Sequence, residues 1–153
     1  MATFTKAHLS GAADGLAVKV AATSSTGTTI HTAVAGTTAG SFDGIWMWAT
    51  NTSTSPVKLT IEWGTTTAAD GNIEVTIPAE QGLMQVIPGL ILHNAKLVTA
   101  FAATGDVICL HGFVNSIAGS MSRRSRENAL VGYSGTRSEL GPHWRVIMDL
   151  DFK

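Results

Sequence analysis

The sequence predicts an all-β protein: an antiparallel β-sandwich, jelly-roll-like, followed by an extended C-terminal arm. Apolar and polar residues alternate with the period of a half-buried strand, most clearly in residues 57–63 (VKLTIEW) and 72–77 (NIEVTI). Strand-like runs recur roughly every ten residues, and turn-forming residues separate them. Residues 1–118 show no helical period. Many short strands with regular turns are typical of sandwiches and barrels.

Five candidate strands lie in the first 63 residues, at 2–9, 16–23, 28–34, 45–51 and 57–63. In the fifth strand the apolar positions are predicted to face the core and the polar positions to face outward. The inward set is Val57, Leu59, Ile61 and Trp63, and the outward set is Lys58, Thr60 and Glu62.

Four more strands are predicted in residues 72–117, around which the domain is organised. Thr104-Gly105-Asp106 forms a hairpin signal before the last of them. That last strand is apolar on both faces, which is typical of a central strand or of one covered by a neighbour. One face carries Cys109, His111, Phe113 and Ile117, and the other carries Ile108, Leu110 and Val114. Pro78 and Pro88 are predicted at strand ends, where a missing N–H is harmless.

Length and composition indicate one domain, residues 1–118, with an appendage at 119–153. Charged residues make up only 14% of the chain, so we expect outward faces rich in hydroxyl groups or covered by partners. The single cysteine, Cys109, excludes an internal disulfide and is interpreted as a small buried hydrophobe rather than a nucleophile. The start of the chain has no signal-peptide pattern, and no apolar run reaches membrane-span length. We therefore expect a soluble protein made in the cytoplasm.

The arm differs from the domain in charge. All five arginines follow Ala118, whereas the preceding residues carry four lysines and seven acidic residues. Arg123, Arg124 and Arg126 are interpreted as contacts to an acidic protein surface, because six basic residues against four acidic ones in the arm make nucleic-acid binding a weaker reading. The arm ends in a predicted strand whose apolar face is Trp144, Val146, Met148, Leu150 and Phe152. Such a strand can extend a neighbour's sheet, or it can complete its own sandwich.

The sequence contains no motif for catalysis, metal binding or cofactor binding. None of the five histidines belongs to a close-spaced ligand pair, and there is no nucleophile elbow or phosphate-binding glycine motif. The acidic residues are scattered, so a hydrolase would need two carboxylates that converge in space. We expect no enzyme activity, no cofactor and no metal.

Trp46 and Trp48 share one face of their strand, and Ile45 and Met47 share the other. Three interpretations of the tryptophans stay open. They are core aromatics under a second sheet, or anchors of a subunit interface, or a platform on which sugars stack.

Four segments of the chain together resemble small β-sandwich structural proteins of tailed bacteriophages, which are encoded among head, neck and tail genes. They are GLAVKVAATSSTGTTIHTAVAGT, IWMWATNTSTSPVKLTIEWG, NIEVTIPAEQGLMQVIPGLIL and VICLHGFVNSIA, within residues 8–118. The resemblance implies a non-enzymatic virion component that decorates the head or forms part of the neck or tail. It does not extend to the arm.

From the resemblance and the composition we expect a protein that is made in the host cytoplasm and located in the virion. Self-association is expected, as a trimer in the first instance, or assembly on a multimeric scaffold. The other expected partners are capsid, portal or tail proteins, bound through the arm, and neither membrane nor nucleic acid. The alternative is a carbohydrate-binding sandwich module, such as the adhesive tip of a fibre.

Overall fold

The computed structural model describes residues 2–119, which form nine strands in two antiparallel sheets. The predicted all-β sandwich is therefore confirmed. In chain order the strands are β1 (Thr3–His8), β2 (Val18–Val20), β3 (Thr28–Thr32), β4 (Phe42–Asn51), β5 (Val57–Trp63), β6 (Asn72–Ile77), β7 (Met84–Leu92), β8 (Leu97–Ala102) and β9 (Ile108–Ala118).

The strand order is that of a jelly roll. One sheet runs β1-β9-β4-β7, with β2 also paired to β9, and the other runs β3-β8-β5-β6. The pairs β2–β9, β3–β8, β4–β7 and β5–β6 are those of one long hairpin. This hairpin is rolled so that its successive pairs alternate between the two sheets, which is the winding that defines this architecture. β1 is an additional strand beside the second half of β9.

The core lies between the sheets and is filled by one side of each strand except β1, whose side chains are all exposed. β4 contributes Ile45, Met47 and Ala49, and β9 contributes Ile108, Leu110 and Val114. Facing them from the other sheet are Ile30, Val57, Leu59, Ile61, Ile77, Val98, Ala100 and Ala102. Each of the larger aliphatic side chains stabilises the fold by roughly 1.5–3 kcal/mol when fully buried, before conformational entropy is subtracted.

Two details of the strands differ from the prediction. The predicted strand at 16–23 is only three residues long, Val18–Val20. Pro88 lies inside β7 rather than at a strand end, so that prediction is wrong. β7 is an edge strand and its pairing with β4 shifts register on either side of Trp46-Met47, and a proline is tolerated at such an irregular edge.

β5 shows a third difference. Lys58 is exposed as predicted, but Thr60 and Glu62 are buried at 2% and 1% exposure. Both lie on the outward face of their sheet, as predicted. The expectation that residues on this face are exposed to solvent is wrong for these two. The segment before β3 explains the burial of Glu62, since Ser25 and the Gly27 N–H both donate to its carboxylate.

Residues 120–153 lie outside the described part of the chain. They include all of the predicted arm contacts, namely Arg123, Arg124, Arg126, Trp144, Val146, Met148, Leu150 and Phe152.

Candidate interaction surface

The outward faces of the two sheets differ in chemistry. By strand register the four-stranded sheet presents mainly hydroxyl and charged side chains, namely Lys58, Thr60, Glu62, Glu74, Thr76 and Thr99, with Phe101 among them. Lys58, Glu74 and Thr76 are exposed, whereas Thr60, Glu62 and Thr99 are buried, so the exposed part of this face is polar.

The outward face of the five-stranded sheet is apolar and aromatic. Register places Trp46 of β4 directly opposite Phe113 of β9, and Trp48 opposite His111. Around this centre lie Phe4, Phe42, Ile91 and Ile117 on the same side of the sheet. We call these seven apolar residues, Phe4, Phe42, Trp46, Trp48, Ile91, Phe113 and Ile117, the aromatic face.

The Phe113 ring stacks with both tryptophan rings. The centroids of Trp46 and Phe113 are 6.2 Å apart with planes 14° from parallel, and those of Trp48 and Phe113 are 5.9 Å apart at 29°. The Lys6 ammonium lies 4.2 Å from the centroid of Phe113. A cation over an exposed ring stabilises the arrangement by about 0.5–1 kcal/mol. The rings therefore pack against one another in the single chain.

A bulge in β7 makes room for Trp46. Ile45 pairs with Leu90 and Trp46 with Pro88, so Gly89 is the extra residue. Gly89 has a φ of +86°, and a Cβ added there would lie 2.6 Å from the Trp46 ring. Only glycine combines this backbone conformation with so close an approach.

Among residues 2–119, the aromatic face exposes large apolar side chains, and no acidic side chain lies between them. Trp46, Trp48 and Phe113 are half-buried, whereas Phe4 is 64% and Ile91 60% exposed. The cations on this side of the sheet are Lys6 and Lys19, and Lys19 lies 3.2 Å from Asp106. Apolar surface of this kind, rich in aromatic residues, marks interaction sites in soluble proteins.

The structure excludes one of the three interpretations of the tryptophans. Both rings point away from the second sheet, because Ile45 and Met47 form the core face of β4. The interpretation as core aromatics is therefore wrong, and the interface and the sugar platform remain. Cys109 lies half-buried on the same outward side, so its interpretation as a buried core hydrophobe is also wrong.

Sequence reasoning missed Phe113, Phe4 and Lys6 as members or neighbours of this surface. For Phe113 the signal was the apolar second face of the last strand. The sequence contained no signal for Phe4 and Lys6. Their position depends on the pairing of β1 with β9, which are separated by more than a hundred residues.

A buried polar cluster joins the two sheets on another side of the domain. His31 Nε2 lies 3.0 Å from Asp43 Oδ2, and the Val34 N–H donates to the same oxygen at 2.8 Å. The Ser10 N–H donates to His31 Nδ1 at 3.0 Å. Both ring nitrogens are thus in use, and the imidazole is only 5% exposed, so the cluster ties strands together rather than offering a free base.

Glu62 forms a second buried cluster. Its carboxylate accepts hydrogen bonds from Ser25, Thr99 and the Gly27 N–H. Burial raises the pKa of Glu62, but the three hydrogen bonds favour the ionised form and leave the pKa below its ordinary value. The cluster anchors the loop before β3 to β5.

Asn51 is the first residue of a glycosylation sequon, but its side chain is buried and hydrogen-bonded within the domain. It is 2% exposed, and its amide donates to the carbonyl oxygens of Ser55, Ile77 and Pro78. Its Oδ1 accepts from the Ser53 N–H at 2.9 Å. This asparagine therefore organises the β4–β5 turn.

Two surface clefts among residues 2–119 are places where carboxylates could converge. The larger, about 410 Å³, lies between residues 37–42 and 91–96, and the smaller, about 250 Å³, lies beside Thr65 and Leu97. Within the described part of the chain, no acidic residue lines either cleft. Within residues 2–119 no three His, Cys, Asp or Glu side chains are grouped to hold a metal ion, and no helix there is long and apolar enough to cross a membrane.

Comparison with protein-family models, with curated proteins and with solved structures found no match. The aromatic face is therefore interpreted from its own geometry.

Proposed function

We propose that the protein is a non-enzymatic structural component of a tailed-phage virion, which decorates the head or forms part of the neck or tail. The observation that carries the proposal is the aromatic face, an ordered apolar surface on one side of the sandwich. It adds a second docking element to the C-terminal arm. The expected partners are capsid, portal or tail proteins, and no cofactor is required.

The energetics of the aromatic face favour a protein partner. Phe4 and Ile91 are mostly exposed in the single chain, and full burial of such a side chain contributes roughly 1.5–3 kcal/mol before ordering costs. Trp46, Trp48 and Phe113 are already ordered by contact with each other, so little side-chain freedom is lost when they bind. Pre-ordered aromatic anchors are typical of the residues that dominate binding energy in interfaces.

The arm, residues 119–153, is proposed to reach a neighbouring protein. Its starting point is fixed, because the Gly119 N–H donates to Ser41 Oγ at 2.8 Å. Arg123, Arg124 and Arg126 would meet an acidic surface, each exposed pair giving about 0–1 kcal/mol. The larger contribution would come from Trp144 and the other apolar residues of the terminal strand.

The proposal is tested by expressing the chain together with the head, neck and tail genes of its source phage and counting its copies per particle by mass spectrometry. The double variant Trp46→Ser/Trp48→Ser should fold but be depleted from particles. The matched control is Leu97→Ser, which removes a 45% exposed apolar side chain from the other sheet and should leave incorporation unchanged. A chain ending at Ala118 should also fold and fail to incorporate. Absence of the wild-type chain from particles would overturn the proposal.

A carbohydrate-binding module is the second candidate, because both tryptophans face away from the core beside polar side chains. His111 lies opposite Trp48, and Gln85 lies on the strand beyond. Lys6 already covers one ring, Phe113, which leaves fewer ring faces for sugars. Saturable binding on a glycan array, or a saturable change of tryptophan fluorescence with an oligosaccharide, would favour this candidate over the first.

A further inference from the structure

β1 is an open edge of the five-stranded sheet. It pairs with β9 over six consecutive positions, from Thr3 opposite Ala118 to His8 opposite Phe113, without a bulge. All six of its side chains are exposed. Among residues 2–119 it has no strand on its other side. Such an edge presents unpaired N–H and C=O groups that can bind another strand.

Two of the other three sheet edges, β7 and β3, are less suited to pairing, and β6 resembles β1 in being regular with one charge at mid-strand. β7 contains Pro88 and two register shifts, and β3 has a shift between Thr29 and His31. β6 is regular but carries Glu74 at mid-strand, whose carboxylate lies 2.7 Å from Lys58. Proline, bulges and charges are the usual means by which edges are kept from pairing. β1 has neither a proline nor a bulge, and its one mid-strand charge, Lys6, lies over the Phe113 ring of its own sheet.

We propose that β1 pairs antiparallel with β1 of a second copy, across a twofold axis at Thr5, and so joins two five-stranded sheets into one. A twofold axis perpendicular to the sheet keeps both aromatic faces on the same side. Directly opposite residues of an antiparallel pair lie on the same face of the sheet. At the axis, a residue must therefore lie opposite the same residue of the second copy.

Charge excludes Lys6 as the residue on the axis. With the axis at Lys6, the two lysines would lie directly opposite each other, and like charges in that position oppose pairing. With the axis at Thr5, Thr5 meets Thr5 of the second copy and Lys6 meets its Phe4. The lysine stem then covers a ring that is 64% exposed in the single chain, while its ammonium lies over Phe113 of its own copy.

The consequence is a continuous sheet with the order β7-β4-β9-β1-β1-β9-β4-β7 and one aromatic face spanning two copies. This is an association of the isolated protein, so it can be tested whether or not the chain is a virion component. It gives a dimer, whereas the trimer expected from the sequence would need a different contact.

Sedimentation equilibrium of the full chain should give the mass of a dimer. Thr5→Lys and Thr5→Glu should each raise the dissociation constant roughly fivefold, because like charges then face each other at the axis. An equimolar mixture of the two variants should associate more tightly than either alone. Thr76→Lys, an exposed threonine on β6, is the matched control and should behave as wild type. A monomeric or trimeric wild-type chain, or Thr5 variants that associate as wild type does, would overturn the proposal.

Cross-linking tests the register independently. In a Cys109→Ser background, Thr5→Cys should form a disulfide-linked dimer under mild oxidation, since directly opposite Cα atoms lie about 4.5–5.5 Å apart. Lys6→Cys should not, since its Cα atoms would be about 8 Å apart in this register. Cross-linking at Lys6→Cys in preference to Thr5→Cys contradicts the axis at Thr5.

Discussion

His31 Nε2 lies 3.0 Å from Asp43 Oδ2, and this contact connects β3 of one sheet to β4 of the other with both side chains about 5% exposed. Because the Ser10 N–H donates to Nδ1, a neutral His31 carries its proton on Nε2 and donates it to Asp43. Asp43 Oδ1 has no hydrogen-bond partner among the described residues. The pair therefore links the sheets through one carboxylate oxygen.

Replacing Asp43 by alanine should destabilise the fold by about 1–3 kcal/mol, because the buried His31 Nε2–H and Val34 N–H both lose their acceptor. Urea denaturation followed by tryptophan fluorescence measures this as a lower midpoint with an unchanged slope. Asp70→Ala, at an exposed turn position, is the control and should change the free energy of unfolding by less than about 0.5 kcal/mol. Equal effects of the two variants would show that the link does not contribute.

Because of Glu62, the free energy of unfolding should depend on pH. The pKa of its carboxyl is lower in the folded chain than its ordinary value of 4.5, so its stabilising contribution is complete above that pH. The contribution is lost as the pH falls through the folded-state pKa. Glu62→Gln should therefore destabilise the protein at neutral pH, by about 1–3 kcal/mol, and weaken the loss of stability below pH 4.5.

The control for Glu62 is Glu74→Gln, which removes an exposed pair with Lys58. An exposed pair contributes about 0–1 kcal/mol. If the two variants have the same acid dependence, measured as unfolding free energy at a series of pH values, the hydrogen bonds to Glu62 do not stabilise its ionised form.

Asn51→Ala should destabilise the fold by about 1–3 kcal/mol, because three carbonyl oxygens and the Ser53 N–H lose a buried partner. Thr54→Ala, exposed in the same turn, should be nearly neutral. Thermal unfolding by circular dichroism compares the two. An Asn51→Ala variant that melts with the control would mean that the turn is held by its backbone alone.

Gly89→Ala should disturb both the bulge and the aromatic face. The φ of +86° strains any other residue, and the added Cβ meets the Trp46 ring at 2.6 Å, for a cost of roughly 1–3 kcal/mol. Near-ultraviolet circular dichroism should show an altered tryptophan signal. Gly82→Ala has open space around its Cβ and serves as the control, for which neither signal nor stability should change.

The sequence by itself determined the strands and their two-sided character. The alternation in β5 and β6, and the doubly apolar run of β9, are local properties of a chain with side-chain period two, so they are readable without any partner strand. They identified Ile45 and Met47 as one face and Trp46 and Trp48 as the other. They also separated Cys109, His111 and Phe113 from Ile108, Leu110 and Val114.

Only the tertiary structure decided which of two apolar faces became the core. Alternation is the same whichever side is buried, so the outward position of Trp46 and Trp48 depends on where β3, β5, β6 and β8 pack. The burial of Glu62 by Ser25 and Gly27, and the meeting of Trp46 with Gly89, likewise join residues more than thirty positions apart. Such contacts are set by the rolled hairpin, whose pairing brings distant segments together, and a period of two residues carries no information about them.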